Sequence, residues 1–376
     1  MIHSNFLTRP ETETMTKTRR MGVGIIGASP ERGWAASAHI PALRALPAYE
    51  IRALSTSRRE SAQAASRQFG VPLAFDNAEE LVARPEVDLV VVSVKVPQHR
   101  ELVTTALEAG KDVYCEWPLG NGLAEAEALA ALARARGVRA IVGLQARASP
   151  AVRYVRDLVS SGFVGEVLST SLVGSGLAWG GIIDPSSLYL LDARNGATLL
   201  TIPFGHTVDA LCWCLGEFRE VSATLATRRP AVPVMGTNET RPQTSPDQVA
   251  VSGVLTTGAV ASIHYRGGTS RGTNLLWEIN GTEGDLVFTG SSGHLQMTDL
   301  SLSGGNGKEK FGPLSIPERY FAAPGAPQGS AFNVAQAYAQ FAQDPGSVPS
   351  FDDAVVRHKM IEAILEAART GQTQRL

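Results

Sequence analysis

The sequence predicts an α/β protein of two domains, a doubly wound parallel sheet followed by an α+β unit with a large, mostly antiparallel, open-faced sheet. Three observations predict it. The 376 residues exceed what one hydrophobic core usually organises. From Met21 to Gly143 short apolar strands alternate with helical segments, the pattern of a parallel sheet with helices on both faces. Beyond Gln145 strands follow one another with few helices between them, the pattern of an antiparallel sheet. The division is residues 1–20 as a polar, disordered tail, 21–143 as the first domain and 144–376 as the second, with the closing helices free to pack back on the first.

In the first domain the strands "MGVGIIGAS", "YEIRALSTS", "VDLVVVSV", "DVYCEW" and "RAIVGLQ" alternate with helices through "AASAHIPALRAL", "ESAQAASRQFG", "HRELVTTALEAG" and "LAEAEALAALARARG". This is the spacing of a Rossmann dinucleotide-binding unit. The second domain opens with a helix in "SPAVRYVRDLVSSG" and a glycine-rich strand region, "EVLSTSLVGSGLAWGG". A buried helix follows in "GHTVDALCWCLG", then strands from Glu220 to about Leu302. A long loop is expected over 303–329, and helices close the chain in "FNVAQAYAQFAQ" and "FDDAVVRHKMIEAILEAARTG".

Composition narrows the function. A net charge of −2 and the lack of a basic run interleaved with aromatics argue against nucleic-acid binding. Cys115, Cys212 and Cys214 read as core thiols, and no Cys/His spacing suggests a metal site. No stretch reads as a membrane span, and the polar N-terminus lacks a signal-peptide core, so the cytoplasm is the expected compartment. The strands from Val221 to Leu302 are expected to expose an apolar sheet face covered by association into a homodimer or homotetramer.

Gly22, Gly24 and Gly27 match G-x-G-x-x-G, but the first two fall inside the strand. The working turn is instead "GASPERGW", with Gly27, Ser29, Gly33 and Trp34 around the phosphates at a helix start. At the end of the second strand "ALSTSRRE" offers Thr56, Ser57 and Arg58 with no acid before Glu60. That choice suits the 2′-phosphate of NADP, with NAD as the alternative.

These stretches, with "ALEAGKDVYCEWPL", "VGLQARASP", "LVSSGFVGEV", "INGTEGDLVF" and "SFDDAVVRHKMIEAI", resemble the glucose–fructose oxidoreductase and inositol dehydrogenase family. Within it they are most similar to the branch of the fungal galactose-regulon repressor. The resemblance implies nicotinamide binding, with Val94, His99, Glu116 and Trp117 beside the cofactor. In the family's usual E-K-P motif a lysine stands where this chain has Trp117, and an Asp four residues before a His stands where it has Ile202 before His206. The expected lysine and aspartate are both missing.

Hydride transfer to or from an alcohol needs a group that handles the hydroxyl proton. His206 is the first candidate, the competing reading being a neutral histidine bridging Asp209 or a backbone carbonyl. Lys95, after the third of these strands, is the second, and Tyr189 beside it would make a proton-transfer pair. Arg147, Trp179, Tyr189 and Asp192, with Trp117 and His206, are the candidate contacts for a sugar-like ligand, since aromatic faces stack on the C–H faces of sugars. Two functions follow: an NADP-dependent oxidoreductase acting on a carbohydrate-like or polyol-like substrate, or a catalytically silent NAD(P)-binding regulator that recognises a protein partner.

Overall fold

A computed structural model describes residues 19–376; most of the expected N-terminal tail, residues 1–18, lies outside the described residues. The first sheet holds β1 (Met21–Ile26), β2 (Tyr49–Ser55), β3 (Leu73–Phe75), β4 (Leu89–Val92), β5 (Asp112–Glu116) and β6 (Ala140–Gly143). They are parallel, in the order β3-β2-β1-β4-β5-β6. Helices cover both faces, so the central strands read as unbroken apolar runs; all four residues of β4, Leu-Val-Val-Val, are buried. The helices are α1 (Ile40–Arg44), preceded by a wide π-type turn at Ala35–His39, α2 (Arg59–Phe69), α3 (Ala78–Val82), α4 (His99–Glu108) and α5 (Leu123–Arg136). The short β3 and α3 escape the sequence reading, because three-residue strands and five-residue helices carry too few positions for a periodicity.

The second domain begins with α6 (Pro150–Ser160) and β7 (Val167–Ser175) and continues through α7 (Gly205–Leu215) and β8 (Phe218–Ala226). A hairpin, β9 (Ala231–Pro233) and β10 (Thr240–Pro242), stands apart. Then come β11 (Gln248–Leu255), β12 (Val260–Arg266), β13 (Leu275–Gly281), β14 (Gly284–Gly290), β15 (Leu300–Asn306) and β16 (Gly312–Pro313). The chain closes with α8 (Phe332–Gln343), α9 (Phe351–Thr370) and β17 (Gln374–Arg375). Nine strands form one sheet, β16-β15-β14-β13-β7-β12-β11-β8-β17, antiparallel except where β7 runs beside β12. The expected loop over 303–329 is interrupted: β15 continues to Asn306 and β16 pairs with it.

Both closing helices reach the first domain. Tyr338 on α8 meets His39 Nδ1 at 2.8 Å and receives the Tyr49 hydroxyl on its carbonyl at 2.8 Å, while α9 packs on α5 and β8. A capping box at Ser350 and Asp353 starts α9.

Two expectations are corrected here. Ala193–Leu215 is, by length and composition, apolar enough to cross a membrane, but it is mostly buried inside the fold, where an apolar helix is a core element. The open face of the large sheet is apolar only in part: Ser222, Thr224, Ala250, Ser252, Ser262 and His264 line a shallow depression on it, while Val260 stands exposed on the same face of β12. Strands with one wet face alternate large apolar residues inward and small polar ones outward.

Candidate functional site

The carboxyl ends of β1, β2 and β4 frame a cleft of ≈ 340 Å³ lined by Gly27, Ser29, Thr56, Ser57, Arg58 and Val94, together with Asp76, Asn77 and Gln98. Ligands of doubly wound sheets bind at this edge. Gly27 turns the chain with φ 96°, and a Cβ there would stand 2.3 Å from the Ser93 carbonyl oxygen, so only glycine fits. Gly33, also at positive φ, precedes the helical turn, and beside it Trp34 Nε1 is buried without a partner. Gly22 and Gly24 instead lie within β1 against Glu86 and Leu81. The turn after β2 is shaped by the Thr56 hydroxyl, which donates to the Arg58 carbonyl at 2.9 Å. A close-approach glycine, a hydroxyl-rich turn and a free helix start fit a dinucleotide.

Asp76 and Asn77 were missed because β3 was. The signal was present in "DNAEE": Asn77 Oδ1 accepts the Glu80 N–H at 2.8 Å, a helix N-cap placed right after a strand.

Several predicted contacts have other work. His99, expected at the cofactor, is buried with Nδ1 2.8 Å from the Pro118 carbonyl and Nε2 3.1 Å from that of Val94. It ties the chain after β5 to the chain after β4, and burial pushes its pKa down. Glu116 is engaged by His39 Nε2 and Gln145 Nε2, each at 2.8 Å, in a network that continues to the Tyr338 hydroxyl. It joins both domains rather than presenting a free carboxylate to a cofactor. Arg147, expected to face a sugar, holds Asp209 with two hydrogen bonds of 2.8 and 2.7 Å and Asp353 with a third. A guanidinium with three of its five N–H donors committed to carboxylates in the interior is held as a structural tie.

Trp179 is buried, its backbone at φ 59° and its Nε1 donating to the Leu190 carbonyl at 3.1 Å, so its ring packs the core and offers no face to a ligand. Asp192 caps the turn at Ala193–Asn195 and pairs with Arg194, whose hydrogen bonds hold it down to about 2. Lys95 and Tyr189 are brought together, but Nζ lies over the ring, 4.7 Å from its centroid. That is a cation–π contact and not a proton-transfer pair.

The missing lysine and aspartate turn out to be one change. Trp117 is buried, and its Nε1 donates to the Thr201 carbonyl at 2.6 Å, in the segment where the aspartate would stand. The indole also packs 4.7 Å from the His358 ring and against Gly205, where a Cβ would approach Nε1 to 2.9 Å. Trp117 is therefore a packing residue beneath the start of α7, not an exposed wall of a substrate pocket.

His206, the second residue of α7, is buried, and its Nδ1 has no hydrogen-bond partner among the described residues. It does not bridge Asp209, whose oxygens belong to Arg147 and Arg357. Burial pushes the imidazole down to about 4 despite the carboxylates of Glu116 and Asp209, so it is neutral at pH 7. Burial also pushes the Asp209 carboxyl up, but the two guanidiniums outweigh it and hold the group below the usual carboxylate range.

This fold and cleft define a dinucleotide-binding protein with an open-faced sheet domain attached. The chain belongs to the glucose–fructose oxidoreductase and inositol dehydrogenase family: residues 21–144 match the model of the oxidoreductase family with an NAD-binding Rossmann fold. Residues 150–290 match the model of the Gal80p C-terminal domain. Among curated relatives, dehydrogenase aclE of Aspergillus oryzae is 34% identical over 94% of this chain and 98% of its own. The galactose/lactose metabolism regulatory protein GAL80 of Kluyveromyces lactis is 31% identical over 78% of this chain and 69% of its own. Among solved structures, a super-repressor mutant of Gal80p from Saccharomyces cerevisiae superposes with a TM-score of 0.86 at 26% identity, covering 95% of this chain and 98% of that one.

Proposed function

We propose that this protein is an NADP-dependent oxidoreductase that transfers a hydride to or from a carbohydrate-like or polyol-like substrate. The observation that carries the proposal is His206, a neutral imidazole with an unpartnered Nδ1 near Glu116 at the carboxyl end of β5. The nicotinamide, when bound, supplies or takes the hydride. His206 takes the hydroxyl proton in the oxidative direction and returns it in the reductive one. An imidazole this weakly basic holds a proton only briefly, so proton and hydride transfer run together. Lys95, exposed and held on Tyr189, is free to carry the proton onward to solvent.

Ser57 and Arg58 hold the 2′-phosphate in this reading. Among the described residues Asp76 is the one carboxylate lining the cleft, and it favours NAD by accepting from a free ribose hydroxyl. Titration calorimetry with NADP and NAD weighs the two. On the same sample, absorbance of the reduced nicotinamide is followed across sugars, polyols and their keto forms, with His206→Ala in parallel. Tight binding with turnover that His206→Ala abolishes supports the enzyme. Tight binding without turnover on any panel member supports the second reading, a silent regulator that recognises a protein partner. The buried Trp117 in the lysine's place and the similarity to GAL80 favour that reading.

A further inference from the structure

Along α9 the residues His358, Ile361, Glu362 and Leu365 recur at the spacing that puts side chains on one helix face. That face, the chain between β5 and α5, and residues 193–201 ahead of α7 enclose a cavity of ≈ 230 Å³. The Trp117 indole stands between this cavity and His206. It packs on the His358 ring, 4.7 Å between centroids, and on Gly205, the residue before His206. The cavity shares no lining residue with the cofactor cleft.

Its walls are largely apolar. Leu123, Leu200, Pro246 and Ile361 line it, and Leu365, 48% exposed, stands at its mouth. The polar groups of the wall are mostly committed to the chain itself. Asn121 Nδ2 donates to the Arg194 carbonyl at 2.8 Å. The Thr201 hydroxyl donates to the Gly196 carbonyl at 2.6 Å and accepts the Thr198 N–H at 2.8 Å, while the Thr198 hydroxyl oxygen accepts the Thr201 N–H at 3.1 Å. His358 is the exception. It is 3% exposed, and its Nε2 is buried with no partner among the described residues. Native interiors rarely leave such an atom unpaired.

Size and chemistry together define the occupant. A bound water needs about two to four polar partners, so water filling this cavity would leave most of the apolar wall wetted. An apolar cavity of about 150 Å³ takes up benzene, which makes ≈ 230 Å³ room for about two fused rings. Burial pushes the His358 imidazole down to about 4, so it carries no charge at pH 7. The one charged side chain among the described lining residues is the carboxylate of Glu362. An anion would therefore lose its hydration without gaining a cation. A hydroxyl both donates and accepts, so it pairs with either tautomer of a neutral imidazole. We propose that the cavity is a binding site for a small, neutral, largely apolar molecule, about the size of two fused rings, whose single hydroxyl pairs with His358 Nε2. Occupation of this site requires neither cofactor nor turnover.

The test uses naphthol, methylnaphthalene and naphthoate, all substituted at the same ring position, titrated into the full chain with and without NADP. Calorimetry and ligand-observed NMR report binding. Expected is saturable binding of naphthol that NADP leaves within about twofold, with methylnaphthalene weaker by about threefold or more and naphthoate by about tenfold or more. In His358→Phe, which keeps a ring against Trp117 and removes the nitrogen, naphthol and methylnaphthalene are expected to bind alike. Leu365→Trp, a change at an exposed position, is expected to close the mouth and abolish binding of both. No saturable binding of naphthol, its displacement by NADP, or naphthoate binding as tightly as naphthol would each overturn the proposal. So would wild-type binding in Leu365→Trp, or an advantage of naphthol that survives in His358→Phe. The first three outcomes need no variant, so they decide the matter even if a substitution misfolds.

Discussion

Trp117 shows how a single residue can look like a ligand contact in sequence and prove architectural in the fold. Its indole is buried, bonded to Thr201 and packed at a tilt against His358, so a lysine in its place would not restore a proton-handling group. Trp117→Lys would bury an ammonium in a site built for an indole, where the group now paired is the Thr201 carbonyl. Trp117→Ala is expected to lower stability by about 3–5 kcal/mol, the usual cost of emptying a large aromatic site, and Trp117→Lys by at least as much. Urea unfolding monitored by circular dichroism measures both; a Trp117→Lys protein of wild-type stability with raised turnover would show that the indole is replaceable. Asp209 is the second such residue, holding Arg147 and Arg357 in the interior. Asp209→Asn leaves two buried guanidiniums short of a counter-charge and is expected to cost about 3–5 kcal/mol. Because the folded-state pKa of Asp209 is depressed, its contribution is present above the unfolded carboxylate pKa and is lost as pH falls through the folded value. The destabilisation by Asp209→Asn, measured from urea midpoints at pH 7 and pH 5, is therefore expected to be the same at both, since pH 5 lies above that whole window.

Single elements were readable in proportion to their length and periodicity. The β1 strand and the turn at Gly27 declared themselves because an apolar run ends in a glycine that must approach another backbone. The long helices α2, α4, α5, α8 and α9 were visible for the same kind of reason. Beyond reach were the ion pairs Arg147–Asp209 and Arg357–Asp209, which span 62 and 148 positions, and the contact of Trp117 with Thr201 across 84. Contacts made by tertiary packing leave no local spacing to read, which is why Arg147 and Trp179 were taken for ligand contacts. Cofactor choice belongs to this scale, since it is set by the β2–α2 turn against the β3–α3 turn. With NADP as cofactor, Arg58→Ala is expected to weaken NADP binding by about tenfold or more, the worth of one charged hydrogen bond, and to leave NAD binding within about twofold. Asp76→Asn is expected to change the two in the opposite sense, weakening NAD relative to NADP. Calorimetric titration of the two variants checks this, and equal losses for both cofactors in Arg58→Ala would show that the arginine does not read the 2′-phosphate.

At the scale of the molecule, the two domains are held together by buried polar groups, and these make folding sensitive to acid. His206, His294 and His358 are each pushed by burial down to about 4, and burial lowers His99 as well. In the unfolded chain these imidazoles return to about 6.5. Their depressed folded pKa values mean that the stability they contribute is complete above the unfolded value and is lost as pH falls from about 6.5 toward 4. In the middle of that window the unfolded chain binds about three protons more than the folded one, so stability there falls by about 4 kcal/mol per pH unit, and by less toward either end. Most carboxylates titrate lower, and the depressed Asp209 and Asp353 add their share only in still stronger acid. A protein in the lower part of the ordinary stability range of about 5–15 kcal/mol is thus expected to unfold before pH 4, and to do so as both domains together, since α8 and α9 bind each to the other. Urea midpoints between pH 7.5 and 5 give the slope, and His358→Gln, which removes one of the three imidazoles, is expected to reduce it by about one third. A flat profile across that range would mean that these histidines are hydrated or already paired in the folded protein.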